Sequence, residues 1–363
     1  MEKQRTKKKK IILRVVIIIL AALVVLDFGI TYWAYHQNFD RTFTSYEPLM
    51  LRVEDFPGLS RTRYEFTSDK GQTLAGYLYE YGENGSSRKA VVVLAHGLGG
   101  GGHNSYMDVA DCFAENGYYV FAYDATGSDE SAGSVMGGMP QGIADLDSAI
   151  SFAEELPECQ GLPVLLFGHS WGAYCAMNVL PDHPEVKGVI ECCGFDTSLS
   201  MFEAAGKEEA GPLIYTMRPW FSIIDRVRFG ELASRSAVES MADAQDTKFF
   251  CVAAENDEMV PDKYGYSRFY DAFQDDGRFT FLKVSDKTHD TVYSDRTYRE
   301  EFDAEFVEWL KGQGYDPTAP ENEERFNKDR VDYINEHLDR ERWSHSLDSE
   351  VFRQFLSFYD TCL

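Results

Sequence analysis

A serine stands between two glycines in Gly168-His169-Ser170-Trp171-Gly172, after the apolar run Pro163 to Phe167 and before the small-residue stretch Ala173 to Leu180. A serine on a sharp strand-to-helix turn holds its hydroxyl above the carboxyl edge of a sheet, within reach of a substrate. Glycines at 168 and 172 suit a crowded, strained turn in which a Cβ would clash. A hydroxyl is a poor nucleophile until a base takes its proton, and imidazole does this best near neutral pH. Of eight histidines, His289 follows a strand-like run in Val284-Ser285-Asp286-Lys287-Thr288-His289-Asp290, where a base at a strand's carboxyl end belongs. His337 and His345 fall in a charged tail, where exposure is expected. A carboxylate must hold the imidazole in the right tautomer. Asp257, in Glu255-Asn256-Asp257-Glu258-Met259-Val260-Pro261, is the best placed, directly after an apolar run ending near Ala254. Glu255 and Glu258 compete with it, and Asp196, one strand earlier, is a weaker alternative.

Negative charge developing on a carbonyl oxygen needs backbone N–H donors held in place beforehand. The Trp171 amide, just after the serine, is one expected donor; the glycine-rich stretch His96-Gly97-Leu98-Gly99-Gly100-Gly101-Gly102-His103 supplies the other, at the Leu98 amide. A phosphate-cradling loop is the rival reading of such glycines, but no lysine follows them and no suitable acid ends the next strand, which argues against a nucleotide. Asp124, in Asp124-Ala125-Thr126-Gly127-Ser128, is expected to tie down its loop without entering the chemistry. With no H-E-x-x-H and no C-x-x-C, no metal is expected, and seven cysteines without disulfide spacing read as small buried residues.

The elements that must position these groups follow from hydrophobic periodicity. Strands are predicted at Tyr64 to Thr67, Leu74 to Tyr81, Ala90 to Ala95, Tyr118 to Tyr123, Val164 to Phe167, Val186 to Ile190, Phe249 to Ala254 and Phe279 to Val284, with a glycine-serine turn at Gly82 to Ser87. Helices are predicted at Tyr106 to Asn116, Ile143 to Leu156, Lys263 to Phe273 and Arg299 to Leu310. Strands alternating with helices imply an α/β architecture, a mostly parallel sheet covered on both faces. Two segments break the rhythm: Asp196 to Ala244 reads as an apolar helical insertion, and the tail after Gly314 as charged helix.

The chain carries a formal charge of −25 over 363 residues, which repels nucleic acid. Seven of its 35 basic residues but only one of its 60 acidic ones, Glu2, lie in the first 14 positions, leaving 28 against 59 and a charge of −31 beyond them. Ile11 to Ile30 is almost wholly aliphatic, interrupted by Arg14 and Asp27, and is about long enough to cross a bilayer as a helix. Trp33 and Tyr35 follow, where interfacial aromatics sit. The preceding lysines should remain cytoplasmic, placing the acidic body outside the cell membrane as a single-pass protein. A cleaved signal peptide is the rival reading, against which no convincing small-x-small site follows Leu26. The expected organisation is a basic segment 1–10, an anchor 11–34, a connector 35–62, a main domain 63–312 with the insertion 196–244, and an extension 313–363.

Taken in order, His96-Gly97-x-Gly99, Gly168-His169-Ser170-x-Gly172, Asp257-x-x-Val260-Pro261 and the late His289 resemble the α/β-hydrolase superfamily, especially the branch of monoacylglycerol lipases, bacterial esterases and serine aminopeptidase-like proteins. The resemblance spans roughly Arg63 to Gly312. It implies a Ser170, Asp257, His289 triad, an acyl-enzyme intermediate, no cofactor, and residues 196–244 as a cap over the site, its apolar residues serving either a lipophilic acyl chain or their own packing. A small-molecule or lipid ester is the implied substrate; a peptide held through a cap carboxylate (Glu203, Glu208 or Glu209), or a non-catalytic binding role, are the other readings, and the oligomeric state is open. One departure stands out: family members often carry an arginine at the position of Thr126.

Overall fold

The computed structural model describes residues 2–82 and 88–363, without the side chains of Glu2, Lys3 and Glu208. Positions 83–87 of the expected turn thus lie outside the described residues. Eight strands, β1 (Leu59–Thr67), β2 (Thr73–Tyr81), β3 (Val91–Ala95), β4 (Tyr119–Tyr123), β5 (Val164–His169), β6 (Gly188–Cys192), β7 (Lys248–Asn256) and β8 (Phe279–Thr288), form one sheet in the order β1-β2-β4-β3-β5-β6-β7-β8. Only the pairings of β2 with β1 and β4 are antiparallel. The central strand β3 is Val-Val-Val-Leu-Ala, buried throughout, because layers of helix cover both of its faces.

The α-helices among the described residues are α1 (Glu2–Phe39), α2 (Met107–Glu115), α3 (Gln141–Glu155), α4 (Trp171–Asn178), α5 (Ser198–Ala210), α6 (Ile214–Phe229), α7 (Ala237–Asp243), α8 (Tyr266–Phe273), α9 (Thr297–Lys311), α10 (Glu323–His337), α11 (Arg340–Ser344) and α12 (Ser349–Cys362). One face of the sheet packs α3, α4, α7 and α8, through residues such as Ile143, Ala173, Met241 and Phe269. The other packs α2, α9 and α12, through Phe113, Phe302 and Phe355. The extension is therefore part of the core: Phe355 is fully buried against Phe167 and Phe250, and Tyr359 Oη donates to the Leu166 carbonyl at 2.8 Å.

α1 is long and apolar enough to cross a bilayer, and Ile11 to Leu26 project no large side chain into the rest of the protein. Its second half runs side by side with α6, both chains ascending together. Asp27 accepts hydrogen bonds from Thr216 Oγ1 and Trp220 Nε1, both at 2.9 Å; Tyr35 packs on Phe221 and donates to Asp225 at 2.6 Å; Arg228 reaches Asp40 at 3.0 Å. Tyr35 is thus an interior residue and not the interfacial aromatic expected from its position, whereas Trp33 is exposed. The insertion is helical as expected, but its apolar residues Phe202, Phe221 and Ile224 pack among themselves and against Tyr35 and Phe39 of α1.

Candidate active site

Strand register delivers the chemistry to one edge. β5 ends at His169, and its last residue pairs with Cys192 of β6, so Ser170 and Cys193 emerge next to each other. In the parallel pair β7–β8, Asn256 lies opposite Thr288, so the next residues, Asp257 and His289, leave adjacent strands together. His289 opens a short 3₁₀ turn, and its Nδ1 is 2.8 Å from Asp257 Oδ2, both side chains being buried. Burial alone would raise the Asp257 carboxyl; the His289 hydrogen bond and the Val260 amide outweigh it and hold the group below the usual carboxylate range, with its charge aimed at Nδ1–H.

Ser170 has φ 57° and ψ −118°, a left-handed conformation that non-glycine residues adopt only where the surroundings enforce it. Here the enforcement is visible. A Cβ on Gly168 would enter the Gly172 backbone, and one on Gly172 would enter the Ala95 carbonyl. The turn is thereby pressed onto β3, with Ser170 N donating to the Cys192 carbonyl at 2.8 Å. Among the described residues Ser170 Oγ has no hydrogen-bond partner. It shares with His289 the wall of one cavity of about 490 Å³. The contact from Oγ to the imidazole is not made in this structure; such bonds are commonly long or poorly aligned before a substrate closes them. Neither the Leu98 nor the Trp171 amide meets a protein acceptor among the described residues, and Leu98 lines the same cavity.

A buried chain of hydrogen bonds ties the glycine loop to the histidine loop. Gly97 N donates to Tyr106 Oη at 2.9 Å, Tyr106 Oη meets His169 Nδ1 at 2.9 Å, and His169 Nε2 meets the His289 carbonyl at 3.0 Å. Burial pushes the His169 imidazole down to about 3, so it stays neutral, with its one proton on Nε2 directed at that carbonyl. Behind the loop, Asp124 accepts from His103 N and Nδ1 at 2.8 and 2.7 Å, a bracing role away from the cavity. At Thr126, where family members often carry an arginine, the loop is held by Asp145, which accepts from Thr126 N at 2.7 Å, Thr126 Oγ1 at 2.9 Å and Ser68 Oγ at 2.6 Å.

The competing groups lie elsewhere. Glu255 accepts from the Asp286 amide, Asp196 is buried against Ser236 and Arg268, and His337 and His345 are exposed. Of the cap carboxylates, Glu203 is paired with Arg218 at 2.6 Å and does not line the cavity, nor does Glu209. Among the described residues none of 196–244 lines it, so the described part of the insertion does not roof this cavity as the resemblance implied. The roof comes from unsuspected places: Tyr46, Leu49 and Met50 of the connector, Arg296 and Arg299 at the start of α9, and Trp343 of the extension, whose Nε1 donates to the Leu49 carbonyl at 3.0 Å. Their sequence context is that of a linker and a charged tail, which gives no signal of their meeting. Cys193 was also missed: it is buried with φ 54° and adjoins Asp257, its thiol kept protonated by burial.

A family model described as serine aminopeptidase, S33, matches residues 86–260, a span holding the glycine loop, the Ser170 turn and Asp257. With the sheet order above, the chain has the α/β-hydrolase fold, and over the matched span it is similar to the serine aminopeptidase-like branch of that superfamily. Among individual proteins, it is 28% identical over 173 residues to the uncharacterized protein PA2218 of Pseudomonas aeruginosa, covering 46% of this chain and 42% of that protein. The chain thus matches less than half the length of that relative. The crystal structure of PA2218 superposes with a TM-score of 0.50 at 17% identity, over 78% of this chain and 95% of that one. The Pyrococcus furiosus esterase Pf2001 superposes with a TM-score of 0.52 at 19% identity, over 75% and 95%. At such identities these structures share the fold.

Proposed function

We propose that the protein is a membrane-anchored, extracytoplasmic serine hydrolase of carboxylic esters. The observation that carries this reading is the convergence, on one cavity, of a strained serine, a carboxylate-bound imidazole and the loop of the unengaged Leu98 amide, with the unengaged Trp171 amide next in chain to the serine. Ser170 Oγ attacks the ester carbonyl while His289 Nε2 takes its proton, and Asp257 stabilises the imidazolium. The Leu98 and Trp171 amides hold the oxyanion. His289 returns the proton to the leaving alkoxide, which departs as the alcohol; water, deprotonated by the same imidazole, then cleaves the acyl-Ser170 ester to the acid and restores the serine. Leu49, Leu51 and Met259 offer an apolar wall for a lipophilic acyl chain. The lysine-rich start and the exposed apolar face of α1 support anchoring with the body outside the cell.

The matched family's description favours one other reading, an aminopeptidase. That activity needs a free carboxylate to hold the substrate amine, and Glu203 is already paired with Arg218. Turnover of p-nitrophenyl butyrate and of alanyl-p-nitroanilide by the full chain separates the two: the ester should be cleaved at least a hundredfold faster in kcat/KM, and the reverse order would overturn the esterase reading.

A further inference from the structure

We propose that the Ser170 cavity takes an ester bearing an anionic group, a carboxylate or a phosphate, and that Arg296 and Arg299 bind that group. The proposal rests on the ester-hydrolase reading and adds the class of substrate. Both arginines stand at the start of α9, one helical turn apart, and both line the cavity that holds Ser170 and His289. Neither guanidinium is fully engaged. Arg299 gives Nε and Nη2 to the Trp343 carbonyl at 3.3 and 2.9 Å, which leaves Nη1 without a protein acceptor. Arg296 Nε is buried without any hydrogen-bond partner, and the nearest carboxylate, Asp290, is a loose neighbour of Nη1 at 3.9 Å with its side chain 65% exposed.

A buried N–H left without an acceptor is destabilising, and a ligand oxygen removes that cost. The planar guanidinium fork matches carboxylate and phosphate oxygens, which makes arginine the usual residue for recognising them. The opposite wall is suited to the same charge: the amides of Gly99, Gly100 and Gly101 meet no protein acceptor among the described residues. One counter-charge faces the pair from α2, Asp108, which is buried and accepts from Ser346 Oγ at 3.4 Å. Burial raises the Asp108 carboxyl and so weakens its claim on the two cations. The rest of the molecule is strongly acidic and repels anions at long range, so an anionic substrate would depend on this local pair.

The test uses the full chain in detergent micelles and two matched pairs of esters. p-Nitrophenyl pentanoate against mono-p-nitrophenyl glutarate places the charge on the acyl side. Monohexanoyl glycerol against its phosphate places it on the alcohol side. The charged member of one pair should be preferred at least tenfold in kcat/KM, and which pair shows the preference assigns the group to acyl carboxylate or alcohol phosphate. In Arg296→Gln that preference should fall at least tenfold, with Arg296→Lys retaining part of it; Arg299→Lys serves as the second variant because Arg299 also supports Trp343. Equal or lower turnover of both charged esters, or an unchanged preference in Arg296→Gln, overturns the proposal. Calorimetric titration of the Ser170→Ala chain with glutarate and glycerol 3-phosphate separates this from the hydrolase reading. Anion binding that is lost in Ser170→Ala/Arg296→Gln, with no ester turned over by the unaltered chain, supports the site and sinks the esterase; ester turnover with no anion binding sinks the site alone.

Discussion

At the residue scale, Asp257 does its work through a single buried hydrogen bond at 2.8 Å to His289. Asp257→Asn should leave the fold intact and lower kcat about 10³–10⁴-fold, because the amide can orient the ring in the wrong tautomer; steady-state kinetics with a p-nitrophenyl ester measure it. Glu191 makes a second prediction. It is wholly buried at the end of β6, accepting from the Gly194 amide at 2.9 Å, and burial pushes its carboxyl up to about 8. A raised carboxyl in the folded state means that the native chain holds a proton the unfolded chain has lost, so stability is full below the ordinary glutamate range and falls as pH rises towards 8. The slope is at most about 1.4 kcal/mol per pH unit. Glu191→Gln should reduce it, seen as urea midpoints that fall less between pH 6.5 and pH 8 than those of the unaltered chain. That Ser170, Asp257 and His289 would meet at one sheet edge was readable from sequence because each follows an apolar run at a strand end. Tyr106, Cys193 and the arginine pair were not, since nothing local distinguishes a helix-start tyrosine or arginine that points into a cavity from one that points into water.

At the element scale, the strands with buried faces were legible and the exposed ones only in part. β3 and β5 are continuous apolar runs. β1 begins at Leu59 instead of Tyr64 because it is an edge strand whose first half, Ser60-Arg61-Thr62-Arg63, is exposed and carries no hydrophobic signal. The anchor and the insertion were each legible as helix, but their pairing was not. Asp27, an anomaly in an aliphatic span, finds its partners 189 and 193 residues away, in Thr216 and Trp220. The same pairing continues through Tyr35 and Asp225, whose carboxyl burial raises to about 6. Tyr35→Phe removes the donor and should cost about 1–3 kcal/mol, by leaving a buried acceptor short of a partner. Thermal unfolding of the full chain reports this, and an unchanged midpoint would show that the α1–α6 contact is not held as described.

At the scale of the whole molecule, the family likeness ends before the chain does, yet the remaining residues complete both the core and the cavity. α12 places Phe352, Phe355 and Tyr359 against the sheet, and Trp343 reaches the connector. The charged surface of α10 hid this, because that helix buries only Tyr333 and Ile334, whereas α12 carries the longer apolar stripe. Phe355→Ala should destabilise the protein by about 3–5 kcal/mol, comparable to removing any large core residue, with the denaturation midpoint as readout. The connector between anchor and sheet, read as a spacer, is instead a wall of the cavity, held by Asn104 to both the N–H and carbonyl of Leu51 at 2.9 and 2.7 Å. The apolar helix α1, the sheet edge that carries Ser170 and the tail are therefore joined to one core. The most direct test of its chemistry is fluorophosphonate labelling of the full chain, followed by mass spectrometry of the modified peptide. Covalent modification at Ser170, abolished in Ser170→Ala and strongly slowed in His289→Ala, is the predicted result; a folded chain that takes up no label, or takes it at another residue, would contradict the account.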